Sequence, residues 1–308
     1  MPVTDAPPSS GAAEAPGIAG PHDNVAAGLW ALVSVAGASA MTLAVREASA
    51  GMDTRMIVLV RSLMILGVAL AALPFLGGRG RLRFSRPWLH LLRGILLGGS
   101  IQLGFHTIAH VPLATATALF FTAPIFATLL SAPINGERLG PRRLGAAAAG
   151  FVGALVILRP FDAAPDPAML AALGSSLLFA LALALSKGVA QADGAVSAFL
   201  SSVAITALIS VPLALPVWAA PGSSWIWAAA GAVAVMGAVR GLADLEAYRL
   251  GEAGVVGVVF YLRLPALGAL GWLVWDESPD AATFVGAAVI VASTLYIAHR
   301  ERAARRAV

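Results

Sequence analysis

No cysteine occurs in this chain, which excludes disulfides and thiolate metal sites. Charge is also scarce: Asp, Glu, Lys and Arg make up 12% of the 308 residues, about half the share of a soluble domain. Residues 1–23 carry no Lys, no Arg and no apolar run, so they lack the basic start and hydrophobic region of a secretory signal. Rich in Pro, Ala, Gly and Ser, they are expected to form a disordered cytoplasmic tail. Neither HExxH nor GxSxG occurs, and of five histidines only His106 and His110 lie close together. An intramembrane hydrolase or metalloenzyme therefore finds no support. The absence of a Walker A sequence removes an ATP-driven pump. No cofactor and no metal are expected.

What is present is apolar. Hydrophobic residues are 59% of the chain and the mean hydropathy is +0.85, so the solvent to read it against is lipid. Runs long enough for a span of about 20 residues occur at 25–45, 55–76, 88–108, 113–134, 142–159, 168–187, 195–217, 224–247, 253–275 and 281–299. Ten crossings follow. Several are dense in Gly and Ala, as in Gly145-Ala-Ala-Ala-Ala-Gly150, which lets helices approach closely. A net charge of +4 suggests nucleic acid at first sight, but the arginines sit between apolar runs, so no nucleic-acid partner is expected.

The basic residues set the direction. Arg79, Arg81, Arg83, Arg86, Arg138, Arg142, Arg143, Lys187, Arg249, Arg300, Arg302, Arg305 and Arg306 fall in one set of alternate connections. Only Arg46, Arg55 and Arg159 fall in the other. The first set marks the cytoplasmic side and puts both termini there.

A segment from Ala114 to Glu137 returns in altered form from Ala253 to Glu277. Each copy passes an aromatic pair (Phe120-Phe121, Phe260-Tyr261), then a proline (Pro124, Pro265), and ends at a glutamate (Glu137, Glu277). Five crossings per half make the second copy run opposite to the first. Inverted repeats of this kind supply two gates around one midplane site.

The run Ala114-Thr-Ala-Thr-Ala-Leu-Phe-Phe-Thr-Ala-Pro-Ile-Phe-Ala-Thr-Leu-Leu resembles the EamA domain. So do Gly136-Glu137-Arg138, Gly150-Phe-Val-Gly153, and Asp276-Glu277-Ser-Pro-Asp280 followed by Gly286. Two such domains in tandem define a branch of the drug/metabolite transporter (DMT) superfamily, and the similarity covers residues 25–300. The resemblance implies an all-α integral membrane fold of ten helices in two inverted five-helix repeats, an inner-membrane location and movement of a small metabolite. The division expected is a tail at 1–23, a first repeat at 24–160, a second at 161–300 and a basic cytoplasmic tail at 301–308. Two departures stand out. The proline-to-glutamate spacing is 13 in one copy and 12 in the other, and Arg263 stands where related sequences usually have an uncharged residue.

Charges within the runs need partners or water, since each costs about 2.5–3.5 kcal/mol on insertion scales. They are Arg61, Arg93, Arg240, Asp244, Glu246 and Arg263. Arg263 lies deepest, about 15 Å into its helix by helical rise. Two readings stay open: it holds a substrate carboxylate or phosphate by a bidentate fork, or it pairs with Asp244, itself i,i+4 to Arg240. Aligning the prolines pairs Phe120 with Tyr261 and Thr122 with Arg263, and a twofold would put both pairs on one cavity. Gln102 and His106 share a face of the third helix; His106 is either a proton carrier or an interfacial residue. Arg61 either snorkels outward or lines a vestibule. Glu137 and Glu277 fall at helix C-termini, where a negative charge is unfavourable, and need an Arg or backbone N–H from a neighbour. With the prolines, they are read as gating or structural residues. The tryptophans near helix ends read as interfacial anchors.

The chain is thus expected to move an amino acid or a similar zwitterionic, anionic or aromatic compound by alternating access, as a monomer or weak homodimer in the bilayer. A drug, vitamin or nucleoside-type cargo is the alternative within the family, and a membrane sensor or intramembrane enzyme outside it. Export and uptake, and proton coupling and facilitated exchange, are left open.

Overall fold

The computed structural model describes residues 23–72, 82–135, 140–159, 166–250 and 259–306, with positions 74 and 256. Everything described is helix or connection. The helices are α1 (Asn24–Ser49), α2 (Thr54–Ala72), α3 (Pro87–His110), α4 (Leu113–Phe120), α5 (Ala123–Asn135), α6 (Pro141–Leu158), α7 (Pro167–Asp193), α8 (Ala195–Ala214), α9 (Ser224–Leu250), α10 (Arg263–Trp275) and α11 (Ala281–Arg306). A 3₁₀ turn at Leu215–Val217 follows α8. Proline opens α3, α6 and α7, where its missing N–H is harmless and its φ is already helical. Asp23 caps α1, its carboxylate accepting the Ala26 N–H at 2.9 Å.

The bundle is turned inside out relative to a soluble protein. Val68, Leu208 and Leu273 are exposed by about 70%, while Ser34, Thr42, Thr107, Ser175, Ser210 and Thr294 are buried. Among the described residues, six stretches are long and apolar enough to cross a membrane, one of them Leu113–Leu130. Buried hydroxyls cost little here because many donate to the carbonyl one turn back, as Thr42 does to Ala38 and Thr117 to Leu113.

Close crossings rest on small residues. A Cβ on Gly153 would lie 2.8 Å from the Gly286 carbonyl, and one on Gly286 would lie 2.5 Å from the Gly153 carbonyl, so α6 and α11 meet backbone to backbone. These glycines belong to the motifs already singled out. The larger pairings repeat under one exchange of helices, α1 with α7, α2 with α8, α3 with α9, α5 with α10 and α6 with α11. α1 packs on α9 as α7 packs on α3, α2 on α9 as α8 on α3, and α1 on α10 as α7 on α5. The contacts α2–α8 and α6–α11 map onto themselves under the same exchange.

The apolar run over 113–134 forms two helices, α4 and α5. The chain turns at Phe121–Thr122, just before Pro124, and again at Tyr261–Leu262, just before Pro265. A proline lacks the N–H that would bond the carbonyl four residues back, and its ring clashes with that carbonyl. Neighbouring helices take up the freed groups. Ser176 on α7 donates to the Leu119 and Phe120 carbonyls at 3.3 Å each, and Thr294 on α11 donates to the Phe121 carbonyl at 3.4 Å. The last helix also exceeds its expected end at 299, running to Arg306 through the segment read as a basic tail.

Candidate functional site

Of the deep charges, Arg61, Arg240, Asp244 and Arg263 gather around α1, α2, α9 and α10. On α9, Arg240 Nε stands 3.6 Å from the Asp244 carboxylate one turn on, and the two side chains keep 36% and 30% of their exposure. Asp244 also accepts a hydrogen bond from the Ser34 hydroxyl of α1. Gly37 makes this crossing possible: a Cβ there would lie 3.3 Å from the Arg240 backbone nitrogen.

Arg263 opens α10 directly after the turn. Its Nη2 donates to the Thr42 hydroxyl at 3.3 Å, and its buried Nε has no partner. Arg61 lies against α9. Its Nε and Nη2 would lie 3.4 Å from a Cβ on Gly237 of α9, its guanidinium stands 5.9 Å from the Phe105 ring centroid, and its Nε is likewise unpartnered. The small Gly237 is what admits so large a head group. Within the described residues, the buried side-chain polar atoms lacking a partner are Ser39 Oγ, Arg61 Nε, Ser62 Oγ, Gln102 Oε1 and Arg263 Nε. Four of the five lie on α1, α2 and α10, so hydrogen-bonding capacity is concentrated there.

A second polar region opens at the arginine-poor face. A cavity of about 550 Å³ is lined by Gln102, His106, His110, Asp53, Arg55 and Ser49, among others. Gln102 and His106 therefore do share a wall. Gln102 donates to Ser210 on α8 at 2.9 Å and keeps its Oε1 unpartnered. The His106 and His110 rings stack at 4.3 Å. Arg55 forks onto Asp53 at 2.8 and 2.9 Å and holds that carboxyl below its ordinary pKa.

The aromatic and threonine positions lie elsewhere. Thr122 is fully buried and donates to the Leu119 carbonyl at 2.7 Å. Phe120 packs between the hydrophobic clusters and near Gly104. Tyr261 meets Phe121, with ring centroids 5.0 Å apart. It lines an apolar groove of about 620 Å³ with Pro265, Trp272, Thr283 and Phe284. The aligned prolines thus mark matching backbone breaks.

Glu277 has both kinds of partner its position demands. Asp276 adopts a left-handed conformation (φ 55°) that ends α10, and the Glu277 N–H bonds back to the Gly271 carbonyl at 3.1 Å. The side chain then accepts Arg46 Nη2 at 2.5 Å and the Leu113 N–H at the start of α4 at 2.8 Å. Arg46 also donates to the Ile108 and Val111 carbonyls at 3.1 and 2.9 Å. All three arginines of this face are neutralised, since Arg55 pairs with Asp53 and Arg159 with Asp280. Glu137 lies outside the described residues.

A cluster at the opposite face was not singled out from the sequence. His90 Nε2 bonds Asp193 at 3.0 Å and its Nδ1 meets Ser201 Oγ at 2.7 Å, tying α3 to α7 and α8. The Ser85 N–H, 3.0 Å away, is the chief reason the Asp193 carboxyl falls to about 2. Its counterpart under the helix exchange is weaker: Trp225 Nε1 donates to Glu47 at 3.4 Å, joining α9 to α1 at the arginine-poor face. Nearby Arg93 donates to Ser186 at 2.7 Å, the Ala198 carbonyl at 2.8 Å and Ser202. The sequence signal was a titratable residue in the first turn of α3 and another closing α7, but 103 positions separate His90 from Asp193. No group of three or more His, Asp and Glu able to hold a metal occurs among the described residues.

Comparison with known proteins supplies a family. Residues 26–159 match the EamA-like transporter family. A riboflavin transporter of Rhizobium johnstonii is 30% identical over 75% of this chain and 78% of its own. An S-adenosylmethionine uptake transporter of Rickettsia prowazekii is 28% identical over 76% of this chain and 80% of its own. A crystal structure of a protein with 22% identity superposes with a TM-score of 0.61, covering 89% of this chain and 98% of that one.

Proposed function

The chain belongs to the EamA-like transporter family of the DMT superfamily, and from that premise we propose that it carries a small anionic or zwitterionic metabolite across the inner membrane by alternating access. It is a multi-pass membrane transporter and not an enzyme. The finer architecture proposed is ten crossings in two inverted repeats, residues 24–160 and 161–300, with both termini cytoplasmic and a monomer or weak homodimer as the working unit. The exchange-related helix pairings, the matching breaks before Pro124 and Pro265, and the 13-to-3 excess of basic residues on one face support this reading.

Relatives of nearly equal identity are named for different cargoes, so resemblance selects none. The site has to do so. One observation carries the assignment: Arg263 stands at the mouth of a broken helix with its Nε unpartnered and its Nη2 on a single hydroxyl. A guanidinium so placed offers a fork to a carboxylate or phosphate. Gating follows from the two faces. The Arg46–Glu277 pair ties α1 to the α10–α4 junction at one, and His90–Asp193 ties α3 to α7 at the other. Alternating access requires that such ties break in turn.

The test is transport in proteoliposomes. Arg263→Ala abolishes uptake of an anionic or zwitterionic cargo while the protein still elutes as a folded species. Transport retained at the wild-type rate removes Arg263 from the site. A thermal-shift screen identifies the cargo, because a ligand at a hundredfold its Kd stabilises by about 2.7 kcal/mol.

A further inference from the structure

Three guanidiniums, Arg61, Arg240 and Arg263, reach into the same part of the bundle from α2, α9 and α10. Gly237, three residues before Arg240 on α9, lies against the Arg61 head group, and Gly37 of α1, which meets the Arg240 backbone, is five residues from Thr42, the partner of Arg263. The acid facing the row is Asp244, and its carboxylate is already engaged by Arg240 and the Ser34 hydroxyl. Glu246, two residues on, stands about 200° round the helix from Asp244. Ser34 and Thr42 of α1 bring hydroxyls and no charge. Once Arg240 and Asp244 neutralise each other, two positive charges remain, on Arg61 and Arg263.

Those two share a detail. Each has its Nε–H buried and unpartnered. Nε and the adjoining Nη form the edge with which arginine grips a carboxylate or phosphate bidentately. Ser39 Oγ and Ser62 Oγ, also unpartnered, add donors on α1 and α2. A neutral cargo satisfies neither charge, and a single carboxylate satisfies one.

Resting on the transporter reading above, we infer that the row Arg61–Arg240–Arg263 recognises a dianion: either two carboxylates on one small skeleton or a phosphate monoester. Arg61 and Arg263 hold the two ends of the negative charge. The Arg240–Asp244 pair beside them is neutral, so the net positive charge of the site is that of Arg61 and Arg263.

The experiment uses the full-length purified protein and reads thermal shift and proteoliposome transport with succinate, glycerol 3-phosphate, alanine, lactate and riboflavin as probes. The expected result is a larger shift with succinate or glycerol 3-phosphate than with the other three. Arg61→Gln then weakens binding of the effective dianion at least tenfold, and Arg61→Lys, which keeps the charge without the fork, falls between. Without ligand, Arg61→Gln melts at or above the wild-type temperature, since it removes a charge whose buried Nε has no partner. A structural role for Arg61 predicts the reverse, a lower melting temperature without ligand, and would overturn the inference. So would a dianion shift that persists undiminished in Arg61→Gln. Transport of alanine, lactate or riboflavin in preference to both dianions overturns the dianion but leaves the transporter standing. If no probe is bound or carried, both readings fall.

Discussion

Glu277→Ala tests how the end of α10 is fastened. In the wild type one carboxylate oxygen takes Arg46 at 2.5 Å and the other takes the Leu113 N–H at 2.8 Å, with the side chains only 12% and 20% exposed for Glu277 and Arg46. Breaking a fully buried pair costs about 3–5 kcal/mol because the surviving charge is stranded. Here Arg46 keeps the Ile108 and Val111 carbonyls and stands 5.6 Å from the Trp275 ring centroid, so about 2 kcal/mol is the better figure for that loss. Losing the acceptor for Leu113 N–H adds about 1 kcal/mol. At about 2 °C per kcal/mol for a chain of this size, the melting temperature falls by about 6 °C. Glu277→Gln, which keeps an acceptor and loses the charge, falls by roughly half of that. The assay is loss of the monodisperse peak of full-length protein in detergent after heating, applied also to Arg46→Ala and to the double variant. The double variant should lose less than the two singles combined, by at least about 1 kcal/mol-equivalent. Losses that simply add would show that the pair is not coupled, and the account of the α10–α4 junction would be wrong.

Two further predictions address packing and pH. Gly286→Ala places a Cβ 2.5 Å from both the Gly153 carbonyl and Ile157 Cγ1, so α6 and α11 must separate. The expected loss is about 1–3 kcal/mol, seen as a lower melting temperature, whereas Gly28→Ala, with nothing within 4 Å, is neutral or stabilising. Asp193 is held near 2, below its ordinary 3.8, so its contribution to stability is present above about pH 4 and is lost as pH falls towards 2. The wild-type melting temperature should therefore drop through that window more steeply than that of Asp193→Asn, and parallel curves would refute the role of the His90–Asp193–Ser85 contact.

The sequence carried the membrane class, the family and the repeated proline motif, because each is a local or compositional signal. Lipid demands apolar runs wherever a helix meets it, and a proline breaks its own helix whatever surrounds it. The need of Glu277 for a compensating Arg and backbone N–H was also legible, since a carboxylate at a helix C-terminus is unfavourable before any neighbour is known. Which Arg and which N–H supplied it was not: Arg46 is 231 positions away and Leu113 is 164. The same limit hid the His90–Asp193–Ser201 cluster and turned Arg61 inward, where Gly237 leaves room for it. It also set Thr122 onto the Leu119 carbonyl of its own helix while the aligned Arg263 reaches Thr42 of α1. Direction around a helix is set by a hundred degrees per residue, so a single position decides whether a side chain meets a cavity, a neighbour or lipid. That choice belongs to helix packing, and packing here is decided by where glycine lets two backbones touch.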